Sequence, residues 1–552
     1  MYDLALIHAP AFPNFRSRNI DFGPISDVIP SYPIFDTFPL GLVSLQVYLE
    51  KRGFKVKIIN LAARALLSRK FDMSKALEKI KARVYGVSLH WLVHLNGALW
   101  VAKKIKEIHE APILLGGLSS TVFWKDLIKL PFIDYIIRGD TTEEPVRILL
   151  ELLDNDVEEL SRVPNLVWKK DKKIIENNFN YVPNELDPID HSVFVRCATR
   201  DGWLDSLPFA NFIQAPITAV FTVKGCTMNC AACGGSAYAF KKYFNRNRLA
   251  IKKPEKIVEE VLSISERIKA SIFFVGDLQQ TGMAKEILRA IREERIDSPL
   301  IFEFFRPPGK ELLEEYRKAS DEVYLQISPE THDTELRLLY GRPYTTSQLL
   351  RFLRNAVALN FNRLDVYFMI GIPHQDISSA ISTAKFAGKL LIPGKIDAFI
   401  APLAPFIDPG SLAYDYPSRY GYRILYRRLA DYSKALNKDL WVEMMNYESL
   451  EMHREEIALA TYIATRILLE EKVRKGIISE EQGKELIEKI LSRERNLVKK
   501  SFRKKTEYKV EKITCHIKEL YPSRAFFLSL KPRILIDGAI GYLHRFLRFR
   551  HI

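Results

Sequence analysis

The chain has 552 residues, of which 47% are hydrophobic and 27% are charged, and it contains five cysteines. This length exceeds one ordinary hydrophobic core and predicts about three domains of a soluble globular protein. No apolar run is long enough to span a bilayer, and the first residues lack the basic and apolar segments of a secretory signal. We therefore expect a cytoplasmic protein.

The net charge of +15 is concentrated near the C-terminal end. Residues 491–552 contain sixteen Lys and Arg against five Asp and Glu, which gives +11, and the first 490 residues carry the remaining +4. Residues 534–552 place apolar and basic side chains on different sides at helical spacing, which is typical of a helix on an anionic membrane surface. A helix docked on its own protein explains the pattern equally well. No RNA-binding module accompanies the charge, so we do not expect a nucleic-acid partner.

The first 153 residues alternate predicted strands with predicted helices, and this alternation is typical of a doubly wound parallel sheet. Ligands of such sheets bind at the carboxyl ends of the strands. The predicted strands are Tyr2–His8, Lys55–Ile59, Val84–Ser88, Pro112–Leu115 and Tyr135–Ile137.

Residues 154–215 have a mixed composition and are interpreted as a linker with a small hairpin at 165–175. The linker contains Cys197, which we interpret as a structural thiol. The alternation in the first 153 residues therefore predicts an α/β fold class for that part of the chain.

The alternation resumes over residues 216–417 with six strand–helix units, which predict a partial (β/α)6 barrel. Residues 418–552 are predicted to be a helical region that ends in the basic tail, with helices at Leu450–Lys475 and Glu480–Arg495.

Three of the five cysteines, Cys226, Cys230 and Cys233, lie within eight positions. Thiolates are soft ligands, and a Cys-x-x-x-Cys-x-x-Cys loop can wrap three sulfurs around one face of an iron–sulfur cube. With no fourth cysteine nearby, one iron would stay open to a small molecule. Zinc is the main alternative, although structural zinc sites usually pair two short hooks and no second hook follows. A disulfide is not expected in a long chain with so few cysteines.

This loop and the β-rich run Ala219–Val223 before it resemble the radical S-adenosylmethionine (SAM) superfamily, and the resemblance extends through residues 216–417. It implies a [4Fe–4S] cluster on the three cysteines, whose open iron chelates the amino and carboxylate groups of SAM. One electron, from an external donor of the flavodoxin or ferredoxin type, then splits SAM into methionine and a 5′-deoxyadenosyl radical. Ala232 departs from the family pattern, because the position before the third cysteine is often aromatic.

The same resemblance implies SAM-binding residues at successive strand ends. A carboxylate at the second strand end accepts charge-assisted hydrogen bonds from the amino group, and an arginine pairs with the carboxylate of SAM. The residues are Gly276 and Asp277 for the amino group, Ser328, Glu330 and Arg342 for the ribose and carboxylate, and Gly371 and Pro373 beside the adenine. The sequence does not identify a catalytic residue beyond these.

Residues 1–153 resemble the cobalamin (B12)-binding domain that precedes the barrel of many radical SAM enzymes. The resemblance rests on short motifs at the strand ends and implies cobalamin contacts from Ser88, Gly116, Gly117, Gly139 and Glu143. The Asp-x-His-x-x-Gly signature is absent after the second strand. The cobalt of a bound cobalamin would then lack a protein histidine on its lower face. Alternatively, the domain has lost cobalamin.

Together these resemblances imply a radical SAM enzyme that functionalises an unactivated carbon, by methylation or by carbon–carbon bond formation or cyclisation. The basic tail would suit a lipid or isoprenoid substrate and peripheral contact with the inner surface of the membrane. A tRNA-modifying methyltransferase or methylthiotransferase is disfavoured, because residues 1–196 contain no cysteine for an extra cluster. A non-catalytic cobalamin or iron–sulfur sensor is the remaining interpretation.

Overall fold

The computed structural model describes residues 1–18, 20, 34–153, 157–171, 173–197, 200, 204–403 and 405–502. Most of the basic tail, and with it the predicted helix at 534–552, lies outside the described residues. Among the described helices, none is both long enough and apolar enough to cross a membrane.

The first sheet has seven strands in the order β2-β1-β3-β4-β5-β6-β7. Strands β1 to β5 are parallel, and β6 and β7 are antiparallel. The central strand reads as a continuous apolar run, since both of its faces are covered. The strands are β1 (Tyr2–His8), β2 (Val56–Asn60), β3 (Ala82–Ser88), β4 (Ile113–Gly116), β5 (Tyr135–Ile137), β6 (Leu166–Lys170) and β7 (Lys173–Glu176).

Helices cover the faces of this sheet, which confirms the predicted doubly wound fold. The longest of them buries a stripe of apolar side chains at helical spacing against the strands, as an amphipathic surface helix does. The helices are α1 (Gly41–Glu50), α2 (Leu61–Leu67), α3 (Met73–Lys79), α4 (Leu95–His109), α5 (Leu118–Val122), α6 (Trp124–Leu127) and α7 (Glu143–Leu152), followed by α8 (Val193–Cys197).

The hairpin predicted at 165–175 is formed by β6 and β7. It joins the first sheet at its edge, where Leu166 pairs with Ile137 of β5. The Arg138 side chain, at the end of β5, donates to the carbonyl of Asn177 at 2.8 Å. The hairpin therefore extends the sheet that precedes it.

The second sheet has six parallel strands in the order β15-β14-β13-β12-β11-β8. Each strand lies beside the next one along the chain, so the sheet is the open barrel that the sequence predicts. A separate antiparallel pair, β9 and β10, stands at its start. The strands are β8 (Ile217–Phe221), β9 (Val223–Lys224), β10 (Ala250–Ile251), β11 (Ser271–Val275), β12 (Leu300–Phe304), β13 (Val323–Glu330), β14 (Arg363–Ile370) and β15 (Ile396–Pro402).

Seven helices accompany these strands. Four of them, α11, α12, α14 and α15, lie close to the bounds that the sequence predicts, 284–294, 310–319, 346–358 and 377–390, whereas α13 was not predicted. Helix α14 carries the full capping box of Thr345 and Gln348. The helices are α9 (Ala237–Tyr243), α10 (Pro254–Arg267), α11 (Ala284–Glu293), α12 (Lys310–Lys318), α13 (Thr334–Tyr340), α14 (Thr346–Ala358) and α15 (Ile377–Leu390).

The C-terminal region is less uniformly helical than predicted. A two-stranded antiparallel pair lies among its helices, and its Tyr422 and Tyr447 hydroxyls donate to the carbonyls of Gly371 and Leu403, which follow the last two barrel strands. The elements are α16 (Leu412–Asp415), β16 (Tyr422–Ile424), α17 (Leu429–Ala435), α18 (Trp441–Met444), β17 (Tyr447–Ser449), α19 (Arg454–Arg474) and α20 (Glu480–Phe502).

Helix α19 is anchored on the last barrel strand by a buried ion pair. The Lys472 ammonium lies 2.7 Å from Asp397 Oδ1 on β15. Asp397 also accepts a hydrogen bond from Arg363 Nη2 at 3.0 Å. Arg363 in turn donates to Asp365. Because each buried charge has a partner, this cluster fixes α19 against the open side of the barrel.

Helix α4 passes so close to the loop after β1 that a larger side chain at the contact should destabilise the protein. A Cβ atom added to Gly97 would lie 1.8 Å from the Pro10 carbonyl oxygen, whereas one added to Gly41 on α1 would meet nothing within 4 Å. Gly97→Ala should therefore destabilise the protein by roughly 1–3 kcal/mol, as overpacking does. Gly41→Ala is the matched control and should be neutral or slightly stabilising. Thermal unfolding of both variants checks this; equal midpoints would contradict it.

Candidate functional site

The three cysteines lie in the loop between β9 and α9, and two separate segments hold that loop. The Ala231 amide donates to the Tyr340 carbonyl at the end of α13 at 2.7 Å. The Gly234 amide donates to Asp408 Oδ2, in the segment after β15, at 2.9 Å. Both contacts come from the protein itself, so the fold holds the cysteine loop at two points.

Gly341, directly after α13, allows that helix end to pass close to the cysteine loop. Its φ is +106°, and a Cβ atom there would lie 2.7 Å from the Asn229 carbonyl oxygen and 2.9 Å from Cys230 Cα. This position therefore requires glycine for both its backbone angle and its proximity to the loop.

The environment of the three sulfurs suits thiolates that bind a metal group. All three cysteines are free, Cys230 is buried, and burial raises the pKa of each thiol. The Met228 amide donates to Cys226 Sγ and the Gly235 amide donates to Cys233 Sγ, both at 3.3 Å. Amide donors stabilise a sulfur anion, and a metal cation would supply the remaining charge that burial denies to these thiolates.

As the side chains stand, no group of three or more His, Cys, Asp or Glu among the described residues is arranged to hold a metal ion. Cluster ligation by Cys226, Cys230 and Cys233 stays a prediction. It is supported by the soft donor set and by the amide contacts to the sulfurs.

The cysteine loop borders a cavity of about 820 Å³ between the first sheet and the barrel. Residues of the loops at the carboxyl ends of both sheets form its walls. The first-sheet wall includes Phe35, His90, Trp91, Leu118, Ser119 and Val122, and the barrel wall includes Gly234, Glu303, Ser328, Glu330, Arg342 and Asp408.

A buried ion pair joins the two sheets near the cysteine loop. Arg246 Nη2 lies 2.9 Å from Asp140 Oδ1, and both side chains are almost fully buried. Arg246 also packs on Gly225, the residue before Cys226, and Lys224 donates to the Asp140 carbonyl at 2.9 Å. The loop after β5 is therefore attached directly to the base of the cysteine loop.

Gly276 and Asp277 follow β11, as predicted, but the Asp277 side chain is turned into its own loop. Its Oδ1 accepts the Gln279 amide at 2.9 Å, and its Oδ2 accepts the Phe305 amide at 3.0 Å. The Gln279 side-chain amide donates to both oxygens. Binding of the SAM amino group by Asp277 stays a prediction, and this geometry does not favour it, because donors of the fold already occupy the carboxylate.

Ser328, Glu330 and Arg342 are brought together on the cavity wall. Arg342 donates to Glu330 Oε1 from Nε at 2.9 Å and from Nη2 at 2.6 Å. Glu330 has a φ of +65°, and the pairing of β13 with β14 shifts register between Ile327 and Glu330. This irregularity aims the Glu330 side chain at the arginine and places both at the carboxyl edge of the barrel.

Gly371 and Pro373 follow β14, in a turn held by the C-terminal region. The Tyr422 hydroxyl donates to the Gly371 carbonyl at 2.8 Å, and a Cβ atom on Gly371 would lie 2.7 Å from the Tyr447 oxygen. Phe368 and Met369, earlier on the same strand, line the cavity. The predicted adenine contact of Gly371 and Pro373 stays a prediction.

The predicted cobalamin residues occupy the carboxyl edge of the first sheet. Gly116 has open space at its Cβ position, whereas a Cβ atom on Gly117 would lie 2.7 Å from the backbone of His90. Ser88 is buried at the end of β3, and the Gly139 amide donates to Thr121. Gly116 therefore offers room for a ligand, while Gly117 serves the packing of two loops.

Glu143, the fifth predicted cobalamin residue, borders a different cavity of about 480 Å³. The Ser44 hydroxyl donates to its Oε1 at 2.5 Å across the gap between α1 and α7. Glu143 is therefore separated from the wall formed by His90 and Trp91.

Two buried histidines, His8 and His94, stand behind the first-sheet wall, and His90 lies in that wall. His8 and His94 both donate from Nε2 to the Phe35 carbonyl, at 3.0 and 2.9 Å, since a carbonyl oxygen can only accept. Burial lowers the pKa of His90 and of His94 to about 4, so both are neutral near pH 7. Of the three histidines, His90 lines the cavity.

Two cavity carboxylates were not singled out from the sequence. Glu303 is the one acidic residue of the otherwise apolar strand β12, and it lines the cavity. Asp408 lies in the proline-rich segment after β15, and its exposed face is turned to the cavity. Burial raises the pKa of Glu303 to about 7 and raises the pKa of Asp408. The apolar residues on both sides of Glu303 are the sequence signal that could have singled it out as a functional residue.

Comparisons with known proteins agree with these observations. The model of the B12 binding domain matches residues 33–149, and the model of the radical SAM superfamily matches residues 220–387, together slightly more than half of the chain. The chain therefore contains a radical SAM domain and a B12-binding domain. The family and fold class expected from the sequence are therefore confirmed, as is the kind of enzyme.

Two curated relatives are methyltransferases by name. An uncharacterized methyltransferase, PH0819, of Pyrococcus horikoshii is 24% identical over 363 residues, which are 64% of this chain and 73% of the relative. Cytidylyl-2-hydroxyethylphosphonate methyltransferase of Streptomyces wedmorensis is 23% identical over 301 residues, which are 47% of this chain and 54% of the relative.

Two solved structures share the fold of this radical SAM chain. The cobalamin-dependent SAM radical enzyme OxsB with aqua-cobalamin bound superposes with a TM-score of 0.58 at 13% identity, covering 100% of this chain and 80% of its own. The radical SAM methyltransferase TsrM from Kitasatospora setae, with cobalamin and a [4Fe-4S] cluster bound, gives 0.55 at 15% identity, covering 77% and 81%.

Metal binding tests the cysteine assignment. After anaerobic incubation with iron and sulfide, the intact chain should hold about four iron atoms, as a [4Fe–4S] cluster requires. Cys226→Ala, Cys230→Ala and Cys233→Ala should each lose most of this iron, because each removes one of three ligands. Iron and sulfide analysis checks this, with Cys515→Ala as the matched control. Retention of full iron by any of the three variants would contradict the assignment.

Proposed function

We propose that this chain is a methyltransferase-like, cobalamin-dependent radical SAM enzyme that functionalises an unactivated carbon. The observation that carries the proposal is the shared cavity. One wall comes from the carboxyl edge of the B12-binding sheet and the other from the cysteine loop and the SAM-side strands. A methyl carrier, a SAM site and a substrate would meet in this space.

In this proposal, Cys226, Cys230 and Cys233 hold a [4Fe–4S] cluster, and the Glu330–Arg342 pair and Ser328 orient SAM on the barrel side. When bound, the cluster would supply the electron that cleaves SAM, and cobalamin would supply a methyl carrier. The described residues that line the cavity include three carboxylates, Glu303, Glu330 and Asp408, against one arginine. Burial raises the pKa of Glu303 and of Asp408, and a bound sulfonium cation would favour the ionised forms of both carboxyl groups.

On the first-sheet side, the open space at Gly116 and the wall formed by His90, Trp91 and Ser119 would receive cobalamin. The neutral His90 imidazole borders the cavity, and the absence of a protein histidine on the lower face of cobalt stays a prediction. The cavity also gives the reacting groups a space bounded by protein, which protects radical chemistry from side reactions.

Product analysis tests this function. The chain, reconstituted with cluster and cobalamin and supplied with SAM and a strong one-electron reductant, should release 5′-deoxyadenosine. Methyl transfer would add S-adenosylhomocysteine. The triple Cys→Ala variant at positions 226, 230 and 233 should lose the 5′-deoxyadenosine, since it cannot hold the cluster. A reconstituted, reduced chain that binds SAM and releases no 5′-deoxyadenosine would contradict the enzyme and favour a sensor.

We infer further that the substrate is a lipid or isoprenoid reached at a membrane surface. The support is twofold: the cavity walls carry many apolar side chains, among them Phe35, Val122 and Phe368, and the +11 charge of residues 491–552 is of the kind that anionic lipids attract. An external one-electron donor of the flavodoxin or ferredoxin type completes the set of partners.

Liposome flotation tests the membrane contact. Deleting residues 503–552 keeps α20 and removes most of the tail. The full chain should float with anionic liposomes, and the shortened chain should stay at the bottom, because Lys and Arg near an anionic surface contribute about 1 kcal/mol each. Neutral liposomes are the control. Equal flotation of both chains would remove the lipid argument.

A further inference from the structure

Glu303 is an acidic residue placed inside an otherwise apolar strand. Its neighbours on β12, from Leu300 to Phe304, are buried, and Glu303 itself faces the cavity. A carboxylate in such surroundings is costly unless a partner compensates it. The charge of Arg342 offsets part of this cost, and a ligand that offers donors would offset the rest.

The other carboxylates at this edge of the barrel already have partners. Asp277 accepts two backbone amides and a side-chain amide, and Glu330 accepts two nitrogens of Arg342. Glu303, in contrast, accepts the Gly276 amide at 3.5 Å, the outer limit of a hydrogen bond. Of the three carboxylates, Glu303 has the most capacity left to accept donors.

The position of Glu303 matches the amino-acid end of a SAM molecule bound at the cysteine loop. It adjoins the Gly276 turn, which the sequence assigns to the amino group. Burial is the main cause that raises the pKa of the Cys226 thiol, and the negative charge of Glu303 raises it further. Arg342, the predicted partner of the SAM carboxylate, is the main cation that acts on Glu303. Glu303 and Arg342 therefore line the same cavity, and Glu303 contacts the Gly276 turn.

We propose that Glu303, and not Asp277, accepts the N–H hydrogen bonds of the SAM amino group. This inference rests on the proposed function, because it requires SAM at the cysteine loop. Asp277 keeps a different role as the residue that closes the turn after β11 and ties it to Phe305. Glu303 is a cofactor-binding residue on the adjacent strand, which the motif order of the sequence does not reveal.

The test measures SAM binding in the anaerobically reconstituted full chain by equilibrium dialysis. SAM is compared with an analogue in which hydrogen replaces the amino group. Glu303→Gln should weaken SAM binding by about tenfold or more, as the loss of a charge-assisted hydrogen bond does, and should change analogue binding little. Asp277→Asn should change the two affinities by the same factor. Glu311→Gln, at a side chain that is 92% exposed, is the control.

The iron content of each sample is measured first, so that failures can be told apart. A wild-type chain that takes up no iron overturns the proposed function, and this inference falls with it. With iron present, selective loss of SAM binding in Glu303→Gln supports the inference. Three results would overturn it: equal binding of SAM and the analogue by the wild-type chain, a selective loss in Asp277→Asn instead, or loss of iron in both Glu303→Gln and Glu303→Asp, which would make Glu303 an iron ligand.

Discussion

The two contacts that hold the cysteine loop determine the geometry of the whole site. The Tyr340 carbonyl accepts the Ala231 amide, and Asp408 accepts the Gly234 amide, so segments after β13 and after β15 hold the loop from both sides. A backbone held in this way needs little reorganisation when a cluster binds, and preorganisation is what a reactive site requires. The α13 end, Gly341 and the proline-rich segment therefore belong to the same functional unit as the sulfurs.

The placement of the first sheet depends on a second constraint, the buried pair of Asp140 and Arg246. Asp140 comes from the loop after β5, and Arg246 packs beside the residue before Cys226. A fully desolvated bidentate ion pair tolerates little displacement, since separating its members would leave two buried charges unpaired. The B12-binding edge is thereby kept opposite the barrel, with the cavity between them.

Much of the fold follows from the sequence, because periodicity and caps are local signals. Four barrel helices, α11, α12, α14 and α15, lie near their predicted bounds, whereas the short helix α13 was not predicted. The pair β16 and β17 was missed, since its two short strands are separated by more than twenty residues and their pairing is a tertiary event. The cofactors were predicted from the resemblance of residues 1–153 and 216–417 to known families. Periodicity alone does not predict a cofactor.

The site was predicted less completely than the fold. Motif order predicts which turn lies near SAM, but it does not indicate which nearby carboxylate has capacity left to accept donors. Asp277 is used by its own turn, and Glu303 faces the cavity from the next strand; only the three-dimensional arrangement separates the two. Gly371 and Gly117 were likewise predicted as ligand contacts, but the structure shows that both allow close packing against other segments.

The central claim is that three cysteine sulfurs hold an iron–sulfur cluster whose open iron receives SAM. The most direct measurement is the electron–nuclear double resonance spectrum of the reduced, reconstituted chain with SAM carrying ¹⁵N in its amino group. The account predicts a hyperfine coupling between the cluster and this nitrogen. A chain that holds about one zinc and no iron, or a reduced cluster that shows no coupling at saturating SAM, would contradict it.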